Sequence, residues 1–187
     1  MSTLFIKNMV CNRCIMVVQQ AIEKLGWDVK NIKLGEVTLV NNIDEKGKKE
    51  LEQSLVALGF ELIDDRKSRI IERIKNVIIE LVHHQDNDTK TNLSDVLKQE
   101  LHHDYNYLSN LFSEVEGTTI EKYFIAQKIE RVKELLVYDE LSLSEIAYQL
   151  NYSSVAYLSN QFKKVTGLTP SHFKQIKADK RKPLDQV

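Results

Sequence analysis

The sequence predicts an α+β chain: an N-terminal part in β-α-β-β-α-β order, a linker helix, and an all-helical C-terminal half. Three observations carry that expectation. Short β-rich runs alternate with helix-spaced runs over residues 3–64. A strongly amphipathic run follows from Arg66 to His84. Beyond it the chain repeats itself at an offset of 50 residues. A chain of 187 residues with 42% apolar and 28% charged residues has room for two small domains, each with its own core.

The elements read in order as follows. TLFIKNMV, residues 3–10, has the pattern of a strand. CNRCIMVVQQAIEKLG has helical spacing, with Cys14, Val17, Val18, Ala21, Ile22 and Leu25 on one apolar stripe and Gly26 at its end. WDVKNIKL and EVTLV are two β-rich runs joined tightly at Gly35; EKGKKELEQSLVALG is a second helix closing at Gly59, and FELID is a last short strand. This is the order of a ferredoxin-like sandwich, in which four strands bury one face under two helices, and it makes residues 1–64 a domain.

Residues 65–90 read as an amphipathic linker helix and hinge. Ile70, Ile74, Val77 and Leu81 recur at 4-3-4 spacing, so the stripe either packs on the chain's own domains or forms an a/d-type seam with a second copy. QDNDTKT, residues 85–91, is polar and suits a hinge or a helix start.

Residues 91–187 form the repeated half. The offset of 50 aligns Leu93-Ser94-Asp95-Val96 with Leu143-Ser144-Glu145-Ile146, and Tyr107-Leu108-Ser109-Asn110 with Tyr157-Leu158-Ser159-Asn160. Over positions 93–119, 11 of 27 residues are identical at that offset, which describes two similar compact units rather than a solenoid. Each unit opens with a short helix, LSDVLKQEL or LSEIAYQL, with a hydroxyl near its start able to cap free N–H groups and an acid, Asp95 or Glu145, suited to the positive helix end. In the second unit Asn151 tolerates a left-handed turn, and Ser153 or Ser154 caps a second helix. Leu158 and Phe162 then face the first helix, leaving Val155, Ala156, Ser159 and Asn160 largely outward, where short side chains fit a major groove.

Charge and motifs narrow the function classes. The net charge is −1, and residues 85–187 hold 13 Lys and Arg against 15 Asp and Glu, so net charge gives no electrostatic case for nucleic acid. Positive charge is nevertheless concentrated late: Lys163, Lys164, Lys174, Lys177, Lys180, Arg181 and Lys182 face only Asp179 between residues 160 and 182. No run is long and apolar enough for a membrane span or a secretion signal, and two cysteines three apart read as a metal or redox pair in a reducing cytoplasm. The five histidines form no ligand set and read as surface or capping residues. Without a phosphate-cradling loop or a nucleophile motif, the chain does not read as an enzyme.

LSLSEIAYQLNYSSVAYLSNQFKKVTGLTPSHFKQ resembles the second helix-turn-helix and signature of AraC/XylS transcription regulators, and the resemblance runs back through Leu93, including the connecting helix IEKYFIAQKIERVKELL. It implies seven helices and two recognition helices in successive major grooves, about 34 Å apart. By position it places base-facing residues at Asn106, Ser109 and Asn110, and at Val155, Ala156, Ser159 and Asn160. Lys163, Lys164, Thr169 and Ser171 take the backbone-contacting positions. The chain departs from the pattern at Asn151, where Gly is usual, at Lys128 and Val132, which replace Arg and Ala, and at Asn110 and Asn160, where Arg is common. With no arginine on either recognition helix, Asn pairing with adenine and small apolar groups meeting thymine methyls predict an A/T-leaning site.

Asn8-Met9-Val10-Cys11-Asn12-Arg13-Cys14, between the first strand and first helix, resembles the loop of heavy-metal-associated domains of copper chaperones and metal pumps. Their motif is G-M-x-C-x-x-C; Met9, Cys11 and Cys14 match, and Asn8 replaces the Gly. The resemblance implies Cys11 and Cys14 as ligands and Met9 as a buried support, with the helix N-terminus and Arg13 lowering the thiol pKa values. Thiolate softness favours Cu(I), or Zn(II) where further ligands join; the bland alternative is an interaction module with idle cysteines. The expected function is a DNA-binding regulator of the AraC/XylS type modulated at this C-x-x-C. Its partners would be double-stranded promoter DNA, RNA polymerase and a second copy of the chain. The rival is a soft-metal carrier or buffer whose helical half docks to a protein.

Overall fold

The computed structural model describes residues 2–63, 65–84 and 92–176. Tertiary contacts divide the chain into Met1–Asn76 and Val77–Val187.

In the first unit, β1 (Thr3–Lys7), α1 (Asn12–Lys24), β2 (Val29–Lys33), β3 (Glu36–Leu39), α2 (Glu45–Val56) and β4 (Glu61–Leu62) are followed by the start of α3 (Arg66–Ile79). The strands form an antiparallel sheet in the order β2-β3-β1-β4, with Thr3 opposite Thr38 and Ile6 opposite Leu62. Because successive side chains on a strand point to opposite faces, Leu4 and Ile6 of β1 and Val37 and Leu39 of β3 share one face. There they bury with Val18 and Ile22 of α1 and Leu51 and Leu55 of α2, each fully buried aliphatic contributing about 1.5–3 kcal/mol. Phe5, between Leu4 and Ile6, meets α3, whose Arg69 guanidinium lies 5.1 Å from the centre of its ring. At Gly35 (φ +75°) a Cβ would fall 2.0 Å from Asn76 Nδ2, so the β2–β3 connection accepts only glycine where α3 passes.

In the second unit, the end of α3 continues into a π-helical turn, Glu80–His84. Then come α4 (Leu93–Leu101), α5 (Tyr105–Glu116), α6 (Ile120–Tyr138), α7 (Leu143–Gln149), α8 (Val155–Thr166) and α9 (Pro170–Ile176). The long α6 is the spine, touching the π turn, α5, α7, α8 and α9. Ile129, Val132 and Leu136 of α6 share a core with Ile146 and Ala147 of α7, Leu158 and Phe162 of α8 and Phe173 of α9. Residues 92–176 supply six of the seven helices the resemblance implies, and the end of α3 with its π turn belongs to the same unit.

Several expectations need correction. Of the two alternatives for the stripe, Ile70 and Ile74 follow the first: they are buried within the chain (7% and 0% exposed) and are not available to a seam with a second copy. The first repeat is capped by a carboxamide rather than a hydroxyl: Asn92 Oδ1 accepts from Ser94 N–H at 3.2 Å. His83 is a buried residue, its Nε2 3.0 Å from Gln127 Oε1, because the π turn swings it onto α6. The linker stretch 85–91, Asp64 and residues 177–187, with Lys177, Lys180, Arg181 and Lys182, lie outside the described residues.

Candidate nucleic-acid interface

The two repeats build the same local geometry by different means. In the second, Ser142 caps α7: its Oγ accepts from Glu145 N–H at 3.3 Å, and its own N–H donates to Glu145 Oε2 at 2.7 Å. These hydrogen bonds hold the Glu145 carboxyl below its usual range. The chain turns at Asn151, whose φ of +53° is the left-handed conformation expected of it. Ser154 then caps α8 by accepting from Tyr157 N–H at 3.0 Å. In the first repeat the left-handed residue is His102 (φ +55°), and Asp104 caps α5 by accepting from Asn106 N–H at 2.8 Å. α8 and α5 end alike, on Gly167 and Gly117 with positive φ.

With Leu158 and Phe162 buried, Ala156, Asn160, Lys163 and Lys164 are exposed and Ser159 is half-buried. On α5, Asn106 and Asn110 are exposed and Ser109 is half-buried beside buried Leu108. Val155, expected to lie largely outward, is half-buried and packs against the second-unit core. At the start of α9, Thr169 and Ser171 are exposed, and Thr169 Oγ1 accepts from His172 N–H at 3.3 Å. The equivalent start of α6 differs. There Glu121 accepts the Tyr105 phenol at 2.5 Å, a bond that lowers its carboxyl pKa while burial pushes the Tyr105 hydroxyl up.

Lys128 lies with its Nζ 4.0 Å from the centre of the Tyr152 ring and 5.5 Å from that of Phe124. Burial pushes its ammonium down to about 8. Tyr152 in turn donates its hydroxyl to Gln161 Oε1 at 2.8 Å and its ring meets Tyr157. Tyr107 and Tyr157, repeated within the duplicated Tyr-Leu-Ser-Asn, are both exposed.

In the first unit the C-x-x-C loop is closely held. Asn8 adopts φ +71°, the conformation that a glycine at that position would take freely. Its N–H donates to buried Glu72 Oε1 at 3.1 Å and its Nδ2 to Gly59 O at 3.1 Å. Met9 is fully buried, and the half-buried Cys11 and Cys14 place their sulfurs 3.3 Å apart. Against the expectation of lowered thiol pKa values, burial raises that of Cys14. Two converging thiols suit a soft ion of low coordination number such as Cu(I). A tetrahedral Zn(II) set is not in place: among the described residues no group of three or more His, Cys, Asp or Glu converges. Nor, among those residues, is any helix long and apolar enough to cross a membrane.

Comparison with known proteins bears on the second unit. Residues 97–176 match a family described as a helix-turn-helix domain. The chain is 28% identical over 119 residues to YtdP, an uncharacterized HTH-type transcriptional regulator of Bacillus subtilis, covering 62% of this chain and 15% of that protein. It is 32% identical over 72 residues to the xylose operon regulatory protein of Escherichia coli K12, covering 38% of this chain and 18% of that protein. The chain thus spans only 15% and 18% of the length of these two relatives. Among solved structures, the C-terminal domain of AraT, a response regulator from Geobacillus stearothermophilus, shares the fold with a TM-score of 0.51 at 24% identity, over 63% of this chain and 95% of that one. Residues 97–176 of the chain are thus similar to a helix-turn-helix domain, and the fold is that of the AraT C-terminal domain.

Proposed function

We propose that the chain is a sequence-specific, double-stranded DNA-binding transcription regulator of the AraC/XylS type, reading DNA with α5 and α8. The observation that carries this is the duplicated cap-turn-helix unit, each copy exposing short polar side chains beside a buried Leu. Asn106, Ser109 and Asn110 on α5, and Val155, Ala156, Ser159 and Asn160 on α8, take the base-facing roles, Val155 through its partly exposed methyls. Lys163, Lys164, Thr169 and Ser171 take phosphate contacts. Asn prefers the N6/N7 edge of adenine, so half-sites lean to A/T. Selection of bound duplexes from a random-sequence library tests this: an enriched A/T-leaning motif is expected. G/C-rich half-sites would refute the readout, and recovery of no motif would refute the function.

The first unit, whose strand order is that of a ferredoxin-like sandwich, serves as the input module, with Cys11 and Cys14 as a soft-metal or thiol sensor. The 3.3 Å sulfur separation supports this reading; the raised Cys14 pKa weighs against a standing thiolate and for a site that deprotonates on binding. Titration with Cu(I) under a competing chelator should give one equivalent bound, lost in the Cys11→Ser variant. Equal uptake by both proteins would remove the sensor.

A further inference from the structure

Tyr107 and Tyr157 occupy the same place in the two repeats, one residue before the buried Leu108 and Leu158. Tyrosine retained at equivalent positions normally marks packing, yet these two are 46% and 53% exposed. Each ring rests against one aromatic ring from the turn before its helix: Tyr107 on His103, centroids 5.3 Å apart, and Tyr157 on Tyr152, 6.0 Å apart. The supporting rings come from positions that do not correspond at the offset of 50, so the tyrosine is common to both repeats and its prop is not. Among the described residues neither hydroxyl has a hydrogen-bond partner, in contrast to Tyr105 and Tyr152, whose hydroxyls are both satisfied within the fold. The other tyrosines as exposed, Tyr138 and Tyr148, have no counterpart tyrosine in the first repeat.

Position on the helix says what such a hydroxyl can reach. Tyr107 and Asn110, like Tyr157 and Asn160, are three residues apart and lie on one helix face, the tyrosine a turn nearer the N-terminus. If the short Asn meets a base edge, the longer phenol on the same face reaches past the groove floor to the flanking strand, where the acceptors are phosphate oxygens. We infer that Tyr107 and Tyr157 are a matched pair of phosphate contacts, each donating its phenolic O–H to a non-bridging phosphate oxygen and so setting the register of its recognition helix. The inference rests on the DNA-reading function proposed above. Being neutral donors, they would hold the duplex without displacing a counterion, which separates them from Lys163 and Lys164.

The test uses the full chain with Tyr107→Phe, Tyr157→Phe and the double substitution, since Phe keeps the ring packing and removes only the hydroxyl. Two fluorescein-labelled duplexes serve as probes: one recovered by selection with the unaltered chain, and one of mixed sequence and equal length. Each single change is expected to weaken binding about 3- to 10-fold on both duplexes, the double change by roughly the product, with the salt dependence unaltered. Replacing single phosphates of the selected duplex by neutral methylphosphonates should reveal one position per half-site at which Tyr and Phe bind equally. Binding by the Phe variants as tight as that of the unaltered chain overturns the inference alone. So does a loss confined to the selected duplex, which would mean base reading. If the unaltered chain binds neither duplex, the DNA-reading function falls and this assignment with it. Unchanged thermal unfolding of the variants by circular dichroism confirms that the readout is binding and not folding.

Discussion

Two residues carry physical roles that their identities alone disguise. Asn8 takes φ +71°, a conformation made tolerable by its side-chain bond to Gly59 O and its N–H bond to Glu72. Asn8→Ala should therefore cost about 1–2 kcal/mol, and Asn8→Gly less, because Ala combines the left-handed strain with the lost side-chain bond. Urea unfolding followed by the fluorescence of Trp27, the one tryptophan, reports on this unit directly. An Ala variant as stable as the original would mean the loop does not need that conformation. His83 is the second case. Burial pushes its imidazole down to about 4 from an ordinary 6.5, so in the native state it stays neutral, and its 4.0 Å approach to Glu134 is no ion pair at neutral pH. The folded value lies below the unfolded one, so stability is intact above 6.5 and is lost as pH falls from there towards about 4, where the unfolded chain binds the proton first. The loss is on the order of 3 kcal/mol. The difference in urea midpoint between the unaltered chain and His83→Gln, followed by circular dichroism at pH 7 and pH 4.5, isolates it from the carboxylates. If the two proteins lose stability in parallel, His83 does not titrate as described.

At the scale of elements, what was legible was what is local. Hydrophobic spacing placed α1 and α2, and the repeat with its cap and turn residues placed α7 and α8, because both signals are properties of neighbouring residues. At α7 the sequence offered a hydroxyl near the helix start and the acid Glu145; the cap is Ser142, the residue before the helix, and not Ser144 within it. Asn92 was missed because the hydroxyl of Ser94 competed for the same role on paper, while backbone geometry lets only the residue before α4 reach back to it. The π turn and the half-burial of Val155 were not legible, since both depend on packing partners that are distant in sequence. The capping box makes a direct comparison possible. Ser142→Ala removes the Oγ that accepts from Glu145 N–H, leaves the backbone N–H bond to the Glu145 carboxylate, and should destabilise the second unit by about 1 kcal/mol. Ser144→Ala, the other hydroxyl at this helix start, should change little. The two variants' thermal midpoints decide it, and equal losses would show that Ser142 is not the cap that matters.

For the whole molecule, composition and the repeat point in different directions. A net charge of −1 argues against a polyanion as partner, and several of the late basic residues lie outside the described part of the chain. Among the described ones Lys174 is paired with Asp139 at the end of α6, which leaves Lys163 and Lys164, exposed on the last turns of α8, without an ion pair among the described residues. The equivalents of these two in the first repeat are Ser113 and Glu114, so cationic anchoring is expected to be one-sided: α8 supplies it and α5 contributes neutral contacts. Binding should then show a modest salt dependence, falling by about 0.9 in the log–log slope for each of Lys163→Ala and Lys164→Ala, equally on selected and mixed-sequence duplexes. Asn160→Ala should do the reverse, leaving the slope intact and flattening the preference for one base pair by about 1–3 kcal/mol. Anisotropy titrations across a salt series separate the two classes. A slope that does not move when both lysines are removed would place the phosphate-neutralising charge elsewhere in the chain, and with it the anchoring face now assigned to α8.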